Sequence, residues 1–98
     1  MKQIDNIMHD ISKMKRGEAL EYYDFGRKGN VHLLINKDED GDVRYYEEPW
    51  DEEDECYVTD WDGSEWYFVE DNPDEEMKIL RKILEDIWED SGERILNN

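Results

Sequence analysis

Basic side chains are almost missing from the middle of this chain. Between Asp38 and Glu76 a single base, Arg44, stands against 19 Asp and Glu. The two flanking stretches are close to neutral, so the net charge of −17 resides in that one segment. Such a surface repels phosphate, which argues against direct nucleic-acid binding and disfavours anionic membranes. Cysteine is equally scarce. Cys56 has no second cysteine to pair with, so no disulfide forms within the chain, and its neighbours Tyr57 and Val58 predict a buried, inert thiol in a reducing compartment. Apolar runs stop at four residues and the N-terminus has no signal-like apolar region, which points to a cytoplasmic protein without a membrane span.

The chemistry of catalysis is thin as well. There is no glycine-rich phosphate loop and no Cys/His metal spacing, and none of Ser12, Ser64 and Ser91 neighbours His9 or His32. Carboxylates abound, but a surplus without apolar pockets to split their pKa values does not make an acid/base pair. The expectation is no enzyme, no cofactor and no metal. Two motif look-alikes fail on inspection. Asp38, Asp40 and Asp42 open like an EF-hand loop, yet Val43 stands where its glycine is required and Pro49 where its terminal Glu is required, with strand-like sequence on both sides. Weak calcium binding by that loop is the most it suggests. Pro73-Asp74 and Glu76-Met77-Lys78 look like fragments of a nuclease core but abut on a helix.

What is present suffices for one domain, residues 1–98. Leu, Ile, Val and Phe number 20, low enough to border on disorder at this charge, but the 12 aromatics can each bury a large area. Ile4, Ile7, Met8, Ile11 and Met14 recur at helical spacing and predict a helix over 2–16, stopped by Gly17, with Lys13, Lys15 and Arg16 in its last turn. Strands are predicted over 18–25, 30–36 and 42–48. Asp40-Gly41 joins the second and third by a three-residue loop with a glycine bulge, which sets Leu33, Ile35, Val43 and Tyr45 on one face and His32, Leu34, Tyr46 and Glu48 on the other. Residues 49–55 read as a loop, since Pro49 cannot donate to a ladder and five acids follow in a row from Asp51. A second hairpin is expected around Asp62-Gly63, with Tyr57 opposite Phe68, Thr59 opposite Trp66, and Asp60 facing Glu65. Asn72 as cap, Pro73, and Glu75 closing a capping box begin a last helix whose stripe is Met77, Leu80, Ile83, Leu84, Ile87 and Trp88 and which Gly92 ends; Ile95 and Leu96 are expected to fold back on the core. The fold class is α+β: an antiparallel sheet of four to five strands with an N-terminal and a C-terminal helix on one face.

Charge geometry carries the functional reading. Same-face residues on a strand repeat about every 6.8 Å, and a DNA strand places a phosphate about every 3.4 Å, so acids at alternate strand positions and hairpin tips can present an array of duplex-like density. The partner-binding residues are expected to be Asp38, Glu39, Asp40, Asp42, Glu47, Glu48, Asp51, Glu52, Glu53, Asp54, Asp60, Asp62 and Glu65, with Trp50 and Trp61, and Trp66 where exposed, as aromatic anchors. The expected partner is a basic nucleic-acid-binding protein.

The order of the N-terminal helix IDNIMHDISKMKRG, the acidic hairpin VHLLINKDEDGDVRYYEE and the acidic helical stretch NPDEEMKILRKILEDIWED resembles small acidic phage-encoded DNA-mimic inhibitors, closest in layout to the anti-CRISPR inhibitors of Cas9. The resemblance covers the first half in order and only the character of the rest, and matches no residue-specific motif. It implies that Asp38, Asp40 and Asp42 sit where duplex DNA would meet arginines, in a host-cell cytosol. The expected function is therefore inhibition of a host defence nuclease, a CRISPR effector or a restriction enzyme. The alternative is an immunity or antitoxin protein that neutralises a basic toxin nuclease.

Overall fold

The computed structural model describes residues 2–59 and 65–97. Helix α1 (Lys2–Ser12) lays Ile4, Ile7, Met8 and Ile11 into the core, as its periodicity demands. It ends earlier than expected. The Ser12 hydroxyl donates to the His9 carbonyl (2.6 Å) and the Met14 N–H to the Ile11 carbonyl, closing the last turn. Gly17 N–H donates to Lys37 O, and Lys37 N–H to Glu18 O, each at 2.9 Å. These two ladder bonds draw residues 17–18 into the sheet, so Lys13, Lys15 and Arg16 lie beyond the helix instead of in its last turn.

Strands β1 (Ala19–Phe25), β2 (Val31–Lys37), β3 (Val43–Asp51) and β4 (Cys56–Tyr57) form one antiparallel meander in chain order. Helix α2 (Pro73–Asp90) and the short α3 (Glu93–Leu96) complete an α+β domain. Val31, Leu33, Ile35, Val43 and Tyr45 from the sheet meet Ile4, Ile7, Ile11, Leu80, Leu84 and Ile87 from the helices in a single core, so α1 and α2 cover one face of the sheet. Leu33 pairs with Glu47 and Ile35 with Tyr45, which is the expected register. Asp38 N–H donates to Asp42 O and Gly41 N–H to Asp38 O, so the β2–β3 connection is a three-residue loop with Gly41 at φ 88°.

Strand β1 carries a bulge. Tyr22 pairs with Leu33 but Phe25 with Val31, so Tyr23 and Asp24 together oppose His32, with Asp24 at φ 56°. The extra residue restores Phe25 to the core face while leaving Tyr23 on the opposite one.

Three expectations about the sheet are corrected. Residues 49–51 are not loop but the end of β3. The Pro49 carbonyl accepts from Val58, and in an antiparallel strand the N–H and C=O of one residue point to the same neighbour; the missing donor therefore faces the short β4, and the β2 side loses nothing, Trp50 N–H donating to Asn30 O (2.9 Å). The second hairpin does not form in the expected pairing. Tyr57 pairs with Trp50 and Tyr67 bridges Val43, so the two segments follow one another along the same edge of β3. That edge offers a row of backbone groups needing partners, whereas a hairpin would have set Asp60 against Glu65; the Asp62-Gly63 turn itself lies outside the described residues. Cys56, finally, is exposed, because β4 is a two-residue edge strand and not a core strand.

Helix α2 buries Leu80, Leu84 and Ile87 and rests Met77, Ile83 and Trp88 against the core. Pro73 opens it, but the Asn72 side chain makes no capping bond to the backbone; its amide donates to the Glu75 carboxylate (3.1 Å) instead of completing a capping box. Ser91 in the left-handed region ends it, followed by Gly92 at φ 81°. Ile95 and Leu96 return to the fold half-buried in α3. Among the described residues no helix is long and apolar enough to cross a membrane.

Candidate interaction surface

The expected acidic side chains separate into three groups. At the β2–β3 tip, Asp38 is part of the turn: its Oδ1 accepts from the N–H of Asp40 (3.0 Å) and of Asp42 (2.8 Å). Glu39 and Asp40 project into solvent, and Asp42 is half-buried. Loss of hydration, then repulsion from Asp38 and Asp40, pushes the Asp42 pKa up. Beside this tip, Glu70 receives Arg16 Nε (3.2 Å) and Lys37 Nζ (3.3 Å), and the hydrogen bond from Arg16 above all holds its pKa below the usual carboxylate range.

The second group ends β3. Asp51 Oδ1 accepts from Glu53 N–H (3.0 Å) and shapes the turn from which Glu52, Glu53, Asp54 and Glu55 project. Nine residues of β3 separate the two tips, a span of about 27 Å at the usual rise. Among the described residues no Lys, Arg or His lies within ion-pair distance of Asp38, Glu39, Asp40, Asp42 or Asp51 through Glu55.

The third group lies on β3 itself, and here the expected array is corrected. Glu47 is 1 % exposed, on the core face, with Arg94 of α3 against its carboxylate, so it cannot meet a partner. Neither of its oxygens accepts a hydrogen bond of ordinary geometry among the described residues. Glu48 lies on the other face but is committed: Oε1 is 2.8 Å from His32 Nδ1 and Oε2 accepts from the Thr59 hydroxyl (2.7 Å). The carboxylates thus form two tips joined by a strand, not a continuous lattice. Glu65 is exposed; Asp60, Trp61 and Asp62 lie outside the described residues.

Between the tips, the sheet face turned away from the helices is aromatic. Tyr23 stacks on His32 with ring centroids 4.3 Å apart, Tyr57 leans on the same imidazole at 5.7 Å, and Trp50 meets Tyr57 edge-on at 5.1 Å. Beneath this row His32 Nε2 is buried without a hydrogen-bond partner among the described residues. Toward the β2–β3 tip, the Arg44 guanidinium lies over Tyr46 (5.2 Å) and Trp66 (5.6 Å). A shallow pocket of about 210 Å³ lies between these halves, lined by Leu34, Asn36, Tyr46, Glu48 and Thr59. Trp50 and Trp66, both expected as anchors, are exposed here; Tyr23 and Tyr57 were not expected. Tyr57 was assigned to a hairpin partner it does not have, and the position of Tyr23 depends on a bulge that strict alternation does not reveal.

The Asp38, Asp40 and Asp42 side chains do not converge as calcium ligands, since Asp38 is spent on the backbone of its own turn. Among the described residues no three His, Cys, Asp or Glu side chains come together with metal-holding geometry. No protein-family model, curated protein or solved structure matches the chain.

Proposed function

We propose that this protein is an acidic DNA mimic that inhibits a host defence nuclease, a CRISPR effector or a restriction enzyme, by occupying its basic nucleic-acid-binding surface in the host cytosol. The observation that carries the reading is the pair of projecting carboxylate tips at the two ends of β3, with which no base within the described fold forms an ion pair. Magnitudes support it. The long axis of the molecule is 41 Å, over which a duplex presents about 24 phosphate charges; the chain presents a net −17. Its density is therefore about two-thirds that of DNA, on a body 26 × 20 Å in cross-section. Attraction of this kind speeds encounter and weakens as salt rises. The reading assigns the chain no reaction and no cofactor.

The test is competition. Bound to a candidate nuclease, the protein should be displaced by duplex DNA and should displace it, with affinity falling at least tenfold between about 50 and about 200 mM salt. Because Asp38 holds its own turn, the informative reversals are Glu39→Lys with Asp40→Lys, and Glu52→Lys with Glu53→Lys and Asp54→Lys. Each set should weaken binding and leave the fold intact. Binding that ignores DNA, salt and both sets would refute the reading. Protection of cells from one co-expressed toxin nuclease, without DNA competition, would assign an immunity protein instead.

A further inference from the structure

The carboxylate tips account for attraction but not for the aromatic face between them. Tyr23, Tyr57 and Trp50 are 58, 44 and 36 % exposed, a poor use of large rings in a chain so short of core-forming residues. Trp50 does more than close the row. It forms one wall of a groove of about 290 Å³ whose other walls include Asp51, Glu52, Glu53 and Glu93. The base in that groove, Lys28, is ion-paired with Glu93, and among the described residues no cation pairs with Asp51, Glu52 or Glu53, which line the groove beside the indole.

The same sheet face shows what such a combination holds. In its other half the Arg44 guanidinium lies over the Tyr46 and Trp66 rings, a contact stabilised by the ring quadrupole. Guanidinium suits this setting better than ammonium, since it is planar, stacks on aromatic faces, is weakly hydrated and offers a fork of donors to carboxylates.

We infer that the Trp50 groove is a docking site for arginine side chains of the basic partner, the guanidinium lying on the Trp50 ring, which Tyr57 buttresses edge-on, while its N–H groups donate to Glu52 and Glu53. This rests on the reading of the protein as a decoy for a basic surface and adds to it a preferred side chain and a place. Among the described residues the indole toward the β2–β3 tip is that of Trp66, which Arg44 already covers, so this tip contributes charge without that preference.

The probes are capped hexa-arginine and hexa-lysine peptides titrated into the intact protein and followed by amide and indole NMR shifts. Hexa-arginine should bind about fivefold or more tighter than hexa-lysine, with the largest shifts in residues 50–57 and the Trp50 indole. Trp50→Leu with Tyr57→Leu should bring the two peptides to equal affinity. In case that pair disturbs β4, the exposed-site variant Glu52→Gln with Glu53→Gln should weaken both peptides, and Glu39→Gln with Asp40→Gln should leave the preference unchanged. Equal affinities for the unaltered protein, or arginine-induced shifts confined to residues 38–42, would overturn the docking site while the decoy reading survived on charge alone. Binding of neither peptide would overturn both.

Discussion

Glu47 and Asp42 are two carboxylates five residues apart in opposite predicaments. Glu47 faces the core, and Arg94, itself 46 % exposed at the side chain, is its countercharge. Removing one partner of a buried pair leaves an uncompensated charge, so Arg94→Ala should destabilise by about 3 kcal/mol in urea denaturation, and adding Glu47→Leu to it should recover most of the loss. No recovery would mean that Arg94 acts through packing instead. Asp42 and Glu70 should separate on acidification. The raised pKa of Asp42 makes its charge unfavourable to folding above that pKa, a burden relieved as pH falls through it. The depressed pKa of Glu70 contributes stability that is present above its unfolded pKa and lost as pH falls through the folded one. Carboxyl NMR should therefore show Asp42 protonating above the usual Asp range and Glu70 below the usual Glu range, with Arg16→Ala moving Glu70 back up. The opposite order would show that Arg16 does not hold Glu70 in solution. The turn at Asp40-Gly41 was legible in the sequence because it is local, but the commitment of Asp38 to its backbone was not. Nor was the burial of Glu47 legible there: the alternation that puts Val43 and Tyr45 on the core face also points Glu47 inward, but its charge argued for a place at the partner surface, and the countercharge from Arg94 is a tertiary contact.

At the scale of elements, the edge of β3 decided what local signals could not. Asp62-Gly63 between two β-prone segments reads as a hairpin, yet Tyr57 and Tyr67 both take partners on β3, because an unpaired edge competes for the same backbone groups. Where α2 meets α3 the sheet sets another constraint. Gly92 sits at φ 81°, and a Cβ there would run into the ring of Pro49. Gly92→Ala should destabilise by about 2 kcal/mol and lower Tm by about 10 °C. Gly29→Ala is the control: its φ is 66°, but a Cβ would meet only the Asp24 carbonyl at 3.8 Å, so strain alone should cost about 1 kcal/mol. Equal losses in the two variants would show that contact with Pro49 contributes nothing.

For the whole molecule, a net charge of −17 on 98 residues opposes compactness. Screening should relieve that repulsion: between about 10 and about 150 mM NaCl the Debye length shrinks from about 30 to about 8 Å, and Tm should rise by about 5 °C, whereas affinity for a basic partner should fall over the same range. A Tm indifferent to salt would mean that the tips are too far apart to repel one another. The sequence by itself determined the α+β class, the apolar stripes of both long helices, the register of β2 on β3 and the turn around Gly41, because periodicity and turn chemistry act over a few residues. Only the tertiary structure decided that Glu47 is buried, that the acids gather at two tips, and that Tyr23, Tyr57 and Trp50 share one face. Those outcomes depend on which distant strand satisfies an open edge and on a single extra residue in β1, and neither leaves a periodic trace.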